Sequence, residues 1–378
     1  MSRWPAVVCT AAVCTTALLL SGVPVASAQD SPEQCGVPEP GEPLPVDAAL
    51  PHDVATGTGV GIALVDTGAS TPWVVPGRAG DGSTDSDHCV LHGTAVAGVL
   101  HTVAPGATVV SHRQVTDRGS GTVAGLVDAL ERAVAHAGDH PGVRIVNLSL
   151  VACQDTVELR RAVADAEDAG LLLVAAAGNS GQCAEGRTPF PASLPGVLTV
   201  GAVDARIAHV TLLDHLGPGR VRAGYSVPGP WVDLAAPGGP VSTVLRTGTG
   251  EVTVVGDPEP FAGTSFAAPV VSATAALVWQ VRPELSAAQV RDVLVSTARS
   301  GGVPVVDPAA AVAAVMGGEP GGGDVAGVGA DAGAGPWAES VDLVAAPEES
   351  VDLLVPLALA TLVLVGVLGA VVRRRPRS

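Results

Sequence analysis

Lysine is missing from all 378 positions, so all 20 Lys-or-Arg side chains are arginines. With Ala, Val and Gly abundant, this reads as a GC-rich coding bias and carries no mechanistic message. Clustered positive charge is scarce too: no basic stripe occurs before residue 373, against 37 acidic residues and a formal net charge of −17. Neutralising nucleic-acid phosphates takes grouped Arg or Lys, so that class of partner is excluded. Aromatics make up 2% and charged residues 15%, while hydrophobic residues reach 47%, a figure inflated by both termini. There is no internal repeat, and the length fits one large core with accessory segments. Metal signatures are absent as well. The acidic stretch DGSTDSDHC at 81–89 lacks the EF-hand pattern and reads as a solvated loop. His101 and His112 lack zinc-ligand spacing and read as ordinary helix or loop residues. No metal or cofactor is expected.

The ends of the chain carry their own information. Residues 1–28 combine Arg3, an apolar run to Leu20 and the small-x-small triplet Ala26-Ser27-Ala28, the form of a cleaved secretory signal. At the other end, 353–372 is a run of 20 uncharged residues, LLVPLALATLVLVGVLGAVV, long enough to cross a hydrocarbon core of roughly 30 Å. Arg373, Arg374, Arg375 and Arg377 follow it, and positive residues stay cytoplasmic, so the body faces outward and the tail 373–378 faces in. Between body and span, 317–352 is rich in Gly, Ala and acids without a helical or strand period and reads as a flexible acidic linker. The expected organisation is thus that of a cell-membrane protein with a signal peptide (1–28), an N-terminal extension (29–54), a folded domain (55–316), the linker, a single transmembrane helix and a cytoplasmic basic tail.

Four cysteines remain after signal removal: Cys35, Cys89, Cys153 and Cys183. An even number in an exported chain implies disulfides. Cys153 and Cys183 each lie a few residues beyond an expected parallel strand, so both emerge at one sheet edge. This favours Cys153–Cys183 and leaves Cys35–Cys89.

In the body, short apolar β-branched runs at 60–66, 108–110, 143–150, 171–178 and 197–203 alternate with helical patterns at 93–103, 122–138 and 156–170. Continuous apolarity marks strands buried on both faces, as in a parallel sheet wrapped by helices, so the fold class is α/β. Ser286 followed by Gln289 forms a capping-box pattern and starts a further helix. In such sheets the loops at the carboxyl ends of the strands build the site. Asp66 ends the first strand in ALVDTG, His92 opens a helix in LHGTAVAG, Asn179 follows LLLVAAAG, and Ser265 opens another helix in GTSFAAP. Singly, these residues are turn, cap or surface groups. Jointly, an Asp, a His, an Asn and a Ser in Gly-bearing motifs at one edge point to nucleophilic catalysis.

These motifs, VDTG, HGTAVAG, AAAGN and GTSFAAP, with YSVPGPWVDLAAPG at 225–238, resemble the subtilisin-like serine proteases over roughly residues 55–300. The signal, the Cys-bearing extension and the C-terminal span add a narrower resemblance to the mycosins, membrane-anchored subtilases associated with type VII secretion. The resemblance implies a three-layer domain with a mostly parallel sheet. It also implies a triad of Asp66, His92 and Ser265, an oxyanion donor in Asn179, and an extended peptide held near Leu148, Ser149 and Leu150 and near Ala175, Ala176 and Ala177. Two departures stand out: Leu91 replaces the glycine common before HGT, and Val151 stands after NLSL where many subtilases carry glycine. Asn147-Leu148-Ser149 spells a glycosylation sequon, discounted because it falls in a buried strand. The expected activity is that of a membrane-anchored extracytoplasmic serine endopeptidase acting on protein or peptide substrates and supporting a type VII secretion complex. A mainly stabilising role in that complex, or general degradation, are the alternatives.

Overall fold

A computed structural model of the chain describes residues 38–46, 48–77, 91–115, 121–204, 222–257, 259–299 and 303–317. The expected signal (1–28), the loop at 81–89, the pair Cys35–Cys89, the linker beyond Gly317, the span 353–372 and the tail all lie outside these residues.

Seven parallel strands form the central sheet: β2 (Gly61–Asp66), β3 (Val74–Val75), β4 (Thr108–Arg113), β5 (Val143–Leu148), β6 (Leu172–Ala176), β7 (Leu198–Val203) and β8 (Leu234–Pro237), in the order β3-β4-β2-β5-β6-β7-β8. β2 shows why the runs are continuously apolar. Ile62 and Leu64 enter one core and Ala63 and Val65 the other, all fully buried, so both faces of the strand are covered. On one face lie α1 (His92–Val103) and α4 (Thr264–Val281); on the other, α2 (Val123–Asp139) and α3 (Val157–Asp168). The architecture is therefore three-layered and the sheet parallel throughout.

α4 is apolar on every side and runs through the middle of its layer. It is the one helix among the described residues long and apolar enough to cross a membrane, yet 89% of it is buried inside the fold. A helix hydrophobic all round belongs in a core, and here it does. α5 (Ala287–Ser296) begins with the expected capping box, in which the Ser286 hydroxyl accepts from Gln289 N–H and the Gln289 side chain accepts from Ser286 N–H. α6 (Pro308–Met316) closes the described chain.

Three strands escaped the sequence reading besides β3 and β8: β1 (Glu39–Pro40), β9 (Thr243–Thr247) and β10 (Gly250–Gly256) form a separate antiparallel sheet in the order β1-β10-β9. Through β1 the N-terminal extension is pinned to this sheet, and Leu44 N–H donates to Ser242 Oγ at 2.7 Å. The Cys153–Cys183 bridge is present, joining the loops that follow β5 and β6.

Candidate active site

β2 and β5 run side by side and end at the same edge, so Asp66 and the chain beyond Leu148 reach one cleft. Asp66 is 1% exposed and accepts a 2.7 Å bond from His92 Nδ1 through Oδ1. Thr67 N–H donates to the same oxygen at 2.7 Å. His92 is the first residue of α1, with its side chain 32% exposed, so one ring nitrogen meets the carboxylate while the ring still reaches the cleft. The glycine after it is dictated by space. A Cβ on Gly93 would stand 2.0 Å from the Gly68 carbonyl and 3.0 Å from Asp66 Oδ1.

Ser265 lies in the first turn of α4, and the ring of the next residue, Phe266, tilts against the His92 imidazole at 5.4 Å between centroids. Asn179 is fixed from the same turn. Its Oδ1 accepts from Thr264 N–H at 3.0 Å and from the Thr264 hydroxyl at 3.2 Å. With the oxygen so engaged, Nδ2 turns the other way, over Gly263, where a Cβ would meet it at 3.1 Å. Asp66 with His92, and Asn179 with the Ser265 turn, are thus brought together.

The start of α4 has a second anchor. Pro269 has no N–H to give the Ser265 carbonyl four residues earlier. That carbonyl accepts from the Ser149 hydroxyl instead, at 2.7 Å. Ser149 in turn receives Asn147 Nδ2 at 2.9 Å, and Asn147 Oδ1 receives the Ser272 hydroxyl at 2.8 Å. All four residues are buried, so the chain of bonds holds the helix to β5 where water cannot compete. The Asn147 sequon is closed by the same burial. Thr264 and Ser272 were not singled out from sequence, and Asn147 was noted only as a discounted sequon. Their partners lie 85 to 125 residues away, and the only local signal is the proline in GTSFAAP.

The expected peptide-binding residues divide. Leu148 pairs with Val65 on one side and Ala175 on the other, and Ala175 also pairs with Thr199, so these two are inner members of the sheet, while Ala176 pairs with Val200 on its β7 side. Ala177 N–H likewise donates to Val200 O, and Ser149 turns inward. Leu150 leaves the ladder and lines a cavity of about 600 Å³ together with Thr67, Gln114 and Leu126. A second cavity of about 230 Å³ is lined by Gly178, Asn179, Pro189 and Val227. Val151 borders both, with Cγ1 3.3 Å from where a Cβ on Gly178 would stand. The disulfide spans the same place, with Cys153 on the first cavity and Cys183 on the second.

Behind the cleft, the Tyr225 hydroxyl donates to Gly238 O at 2.9 Å, the carbonyl that also accepts Gly263 N–H at 2.8 Å. Burial, and then the nearby Asp204 carboxylate, push its pKa up to about 12, so it remains a donor. His101 stacks on Trp73 at 4.3 Å, and His112, whose backbone pairs with Val65, turns its ring to His136 of α2. Among the described residues, no three His, Cys, Asp or Glu side chains gather as a metal-holding group.

A parallel sheet that delivers a buried carboxylate and its histidine to the edge where a helix presents a serine defines a class, the serine-peptidase-type α/β domains. Within that class the chain belongs to the subtilase family, whose profile (Peptidase S8) matches residues 57–317. Among characterised relatives, it is 36% identical to mycosin-4 of Mycobacterium tuberculosis over 283 residues, 64% of this chain and 60% of that protein. It is 33% identical to mycosin-1 of the same organism over 304 residues, 68% of this chain and 67% of that one. The matches thus span about three fifths to two thirds of these relatives. Among solved structures, MycP1 from Mycobacterium smegmatis superposes with a TM-score of 0.59 at 30% identity, covering 74% of this chain and 88% of that one. The MycP3 protease from the type VII (ESX-3) secretion system gives 0.55 at 27% identity, covering 74% and 96%.

Proposed function

We propose that the chain is a membrane-anchored, extracytoplasmic serine endopeptidase of mycosin type that cleaves protein substrates and supports a type VII secretion system. The observation that carries the reading is the 2.7 Å bond from His92 Nδ1 to the buried Asp66 carboxylate, with Ser265 in the facing helix turn. A serine hydroxyl is a weak nucleophile near neutral pH and needs a base. His92 takes the Ser265 proton through its other nitrogen as Oγ attacks the scissile carbonyl, and later returns it to the leaving amine. Asp66 holds the tautomer and stabilises the imidazolium without itself becoming protonated.

The oxyanion that forms is met by Asn179 Nδ2 and by the backbone N–H of Ser265, which lies in a first turn where N–H groups lack intrahelical acceptors. The extended peptide lies along the segments that leave the sheet, 149–151 and 177–179, with its side chains in the two cavities beside Val151. The span 353–372 holds the domain at the outer membrane face, and the linker 317–352 sets its reach. The likeness to mycosins supports the link to secretion.

The test uses full-length protein in mild detergent with a fluorophosphonate probe. Labelling is expected at Ser265 and lost in Ser265→Ala; a folded wild type that takes up no probe overturns the reading.

A further inference from the structure

We infer that Gln182 is a positioning residue for the Asn179 carboxamide, an inference that rests on the enzymatic reading above. Asn179 stands just past β6, where the ladder gives way to a bridge with Ser226: Val227 N–H donates to the Gly178 carbonyl at 3.0 Å and Ser180 N–H to the Tyr225 carbonyl at 2.8 Å. Gly178 before it takes φ +99°, a left-handed turn that glycine makes without strain. The polar groups of Asn179 itself are held from two directions. At the side-chain end, Thr264 occupies Oδ1. At the main-chain end, Asn179 N–H donates to Gln182 Oε1 at 2.6 Å, and the Asn179 carbonyl accepts Gln182 N–H at 3.1 Å. One residue therefore closes both backbone groups.

Gln182 is exposed, so its side chain contributes an acceptor and little core packing. It lines the 230 Å³ cavity beside Asn179. The next residue, Cys183, is bridged to Cys153, which lines the larger cavity, so the frame carrying the acceptor is itself fastened. Without the acceptor, the peptide unit after Gly178 keeps only the bond from Val227 N–H to the Gly178 carbonyl, tilts about the glycine, and the aim of Nδ2 degrades. Losing an oxyanion donor outright costs on the order of 10²–10³ in turnover. Blurring its position costs less, about tenfold, and falls on the bond-making step because the contact strengthens only as charge develops.

The experiment measures phosphonylation of full-length protein by a fluorophosphonate probe, separating the saturating rate kinact from the half-saturating concentration KI. Gln182→Ala is expected to lower kinact about tenfold and leave KI within about twofold. Gln182→Glu, which keeps a side-chain acceptor, restores most of the rate. In an Asn179→Ala background, Gln182→Ala has no further effect, because there is no carboxamide left to aim. Hydrogen exchange at the Asn179 amide, which needs no turnover, speeds up about tenfold in Gln182→Ala. An unchanged kinact, unchanged exchange, or an equal further loss in the Asn179→Ala background overturns the role of Gln182 while leaving the enzymatic reading intact. A folded wild type that takes up no probe overturns the enzymatic reading, and the positioning role with it. The exchange result then reports separately whether Gln182 grips the backbone.

Discussion

The serine hydroxyl that donates to the Ser265 carbonyl has a replaceable chemistry and an irreplaceable location. Ser149 stands in for the N–H that Pro269 lacks, and it is itself held by Asn147. Ser149→Ala leaves a buried carbonyl and a buried amide N–H unpaired, at a cost of about 1–3 kcal/mol. The expected outcome is a lower urea midpoint with the slope unchanged, and slower labelling of Ser265; Ser149→Thr, which keeps the hydroxyl, recovers part of both. A Ser149→Ala protein as stable as wild type means that the bond chain does not hold the helix start. Asn179→Ala tests a different contribution. Its expected signature is a fall of about 10²–10³ in kcat with KM nearly unchanged, beside a stability loss of about 1–3 kcal/mol from the unpaired Thr264 N–H. Asp66, His92, Asn179 and Ser265 were legible in the sequence because each ends an apolar run or opens a helical one inside a glycine-bearing motif. Thr264, Asn147, Ser272 and Gln182 were not, since what they do depends on which distant element packs beside them.

At the scale of elements, the parallel strands declared themselves because burial on both faces leaves unbroken apolar runs, as Ile62 to Val65 illustrate. The two-residue strands β1 and β3 carry too few residues for a period, and β9 with β10 is partly exposed, so neither left such a run. Leu148 and Ala175, expected beside the peptide, lie inside the ladder for a related reason. Sequence marks where a strand is but not which of its edges a neighbour occupies, and here β5 and β6 occupy each other. The disulfide was legible from strand order alone, and it makes a prediction about the loops that it joins. Cys153 and Cys183 are 30 residues apart, and closing a loop of that size stabilises by roughly 3–4 kcal/mol on the chain-entropy model. Replacing both by alanine is expected to lower the unfolding free energy by an amount of that order. It is also expected to raise KM more than it lowers kcat, because the bridge spans the walls of the two cavities and touches neither Asp66 nor His92. Loss of kcat with KM preserved contradicts that assignment.

For the molecule as a whole, the two helical layers differ in how they meet acid. The layer of α1 and α4 carries the half-buried His101, whose pKa burial lowers, whereas the layer of α2 covers a histidine buried far more deeply. His112, on β4, is 4% exposed, and neither ring nitrogen has a hydrogen-bond partner. His136 of α2 meets it edge-on at 5.6 Å, and His136 stacks on His140 at 4.1 Å. Burial first, then the charges of His136 and Arg132, lower its pKa from 6.5 to about 4. The fold therefore favours the neutral ring. The stability that comes with neutrality is fully present above the unfolded pKa of 6.5 and is lost progressively as pH falls towards 4. A shift of this size corresponds to about 3 kcal/mol. Wild-type protein is expected to lose stability between pH 6.5 and 4 by more than His112→Phe, which fills the site without a proton to gain; the difference between their urea-derived free energies isolates this one ring from the general titration of carboxylates. On the proposed mechanism, activity also falls in acid for a separate reason, since only a neutral His92 accepts the serine proton. The two effects separate by variant: His112→Phe changes the stability profile and leaves the acid limb of kcat/KM where it was. If that limb moves with the His112 substitution, acid acts on the cleft through the α2 layer and not through His92.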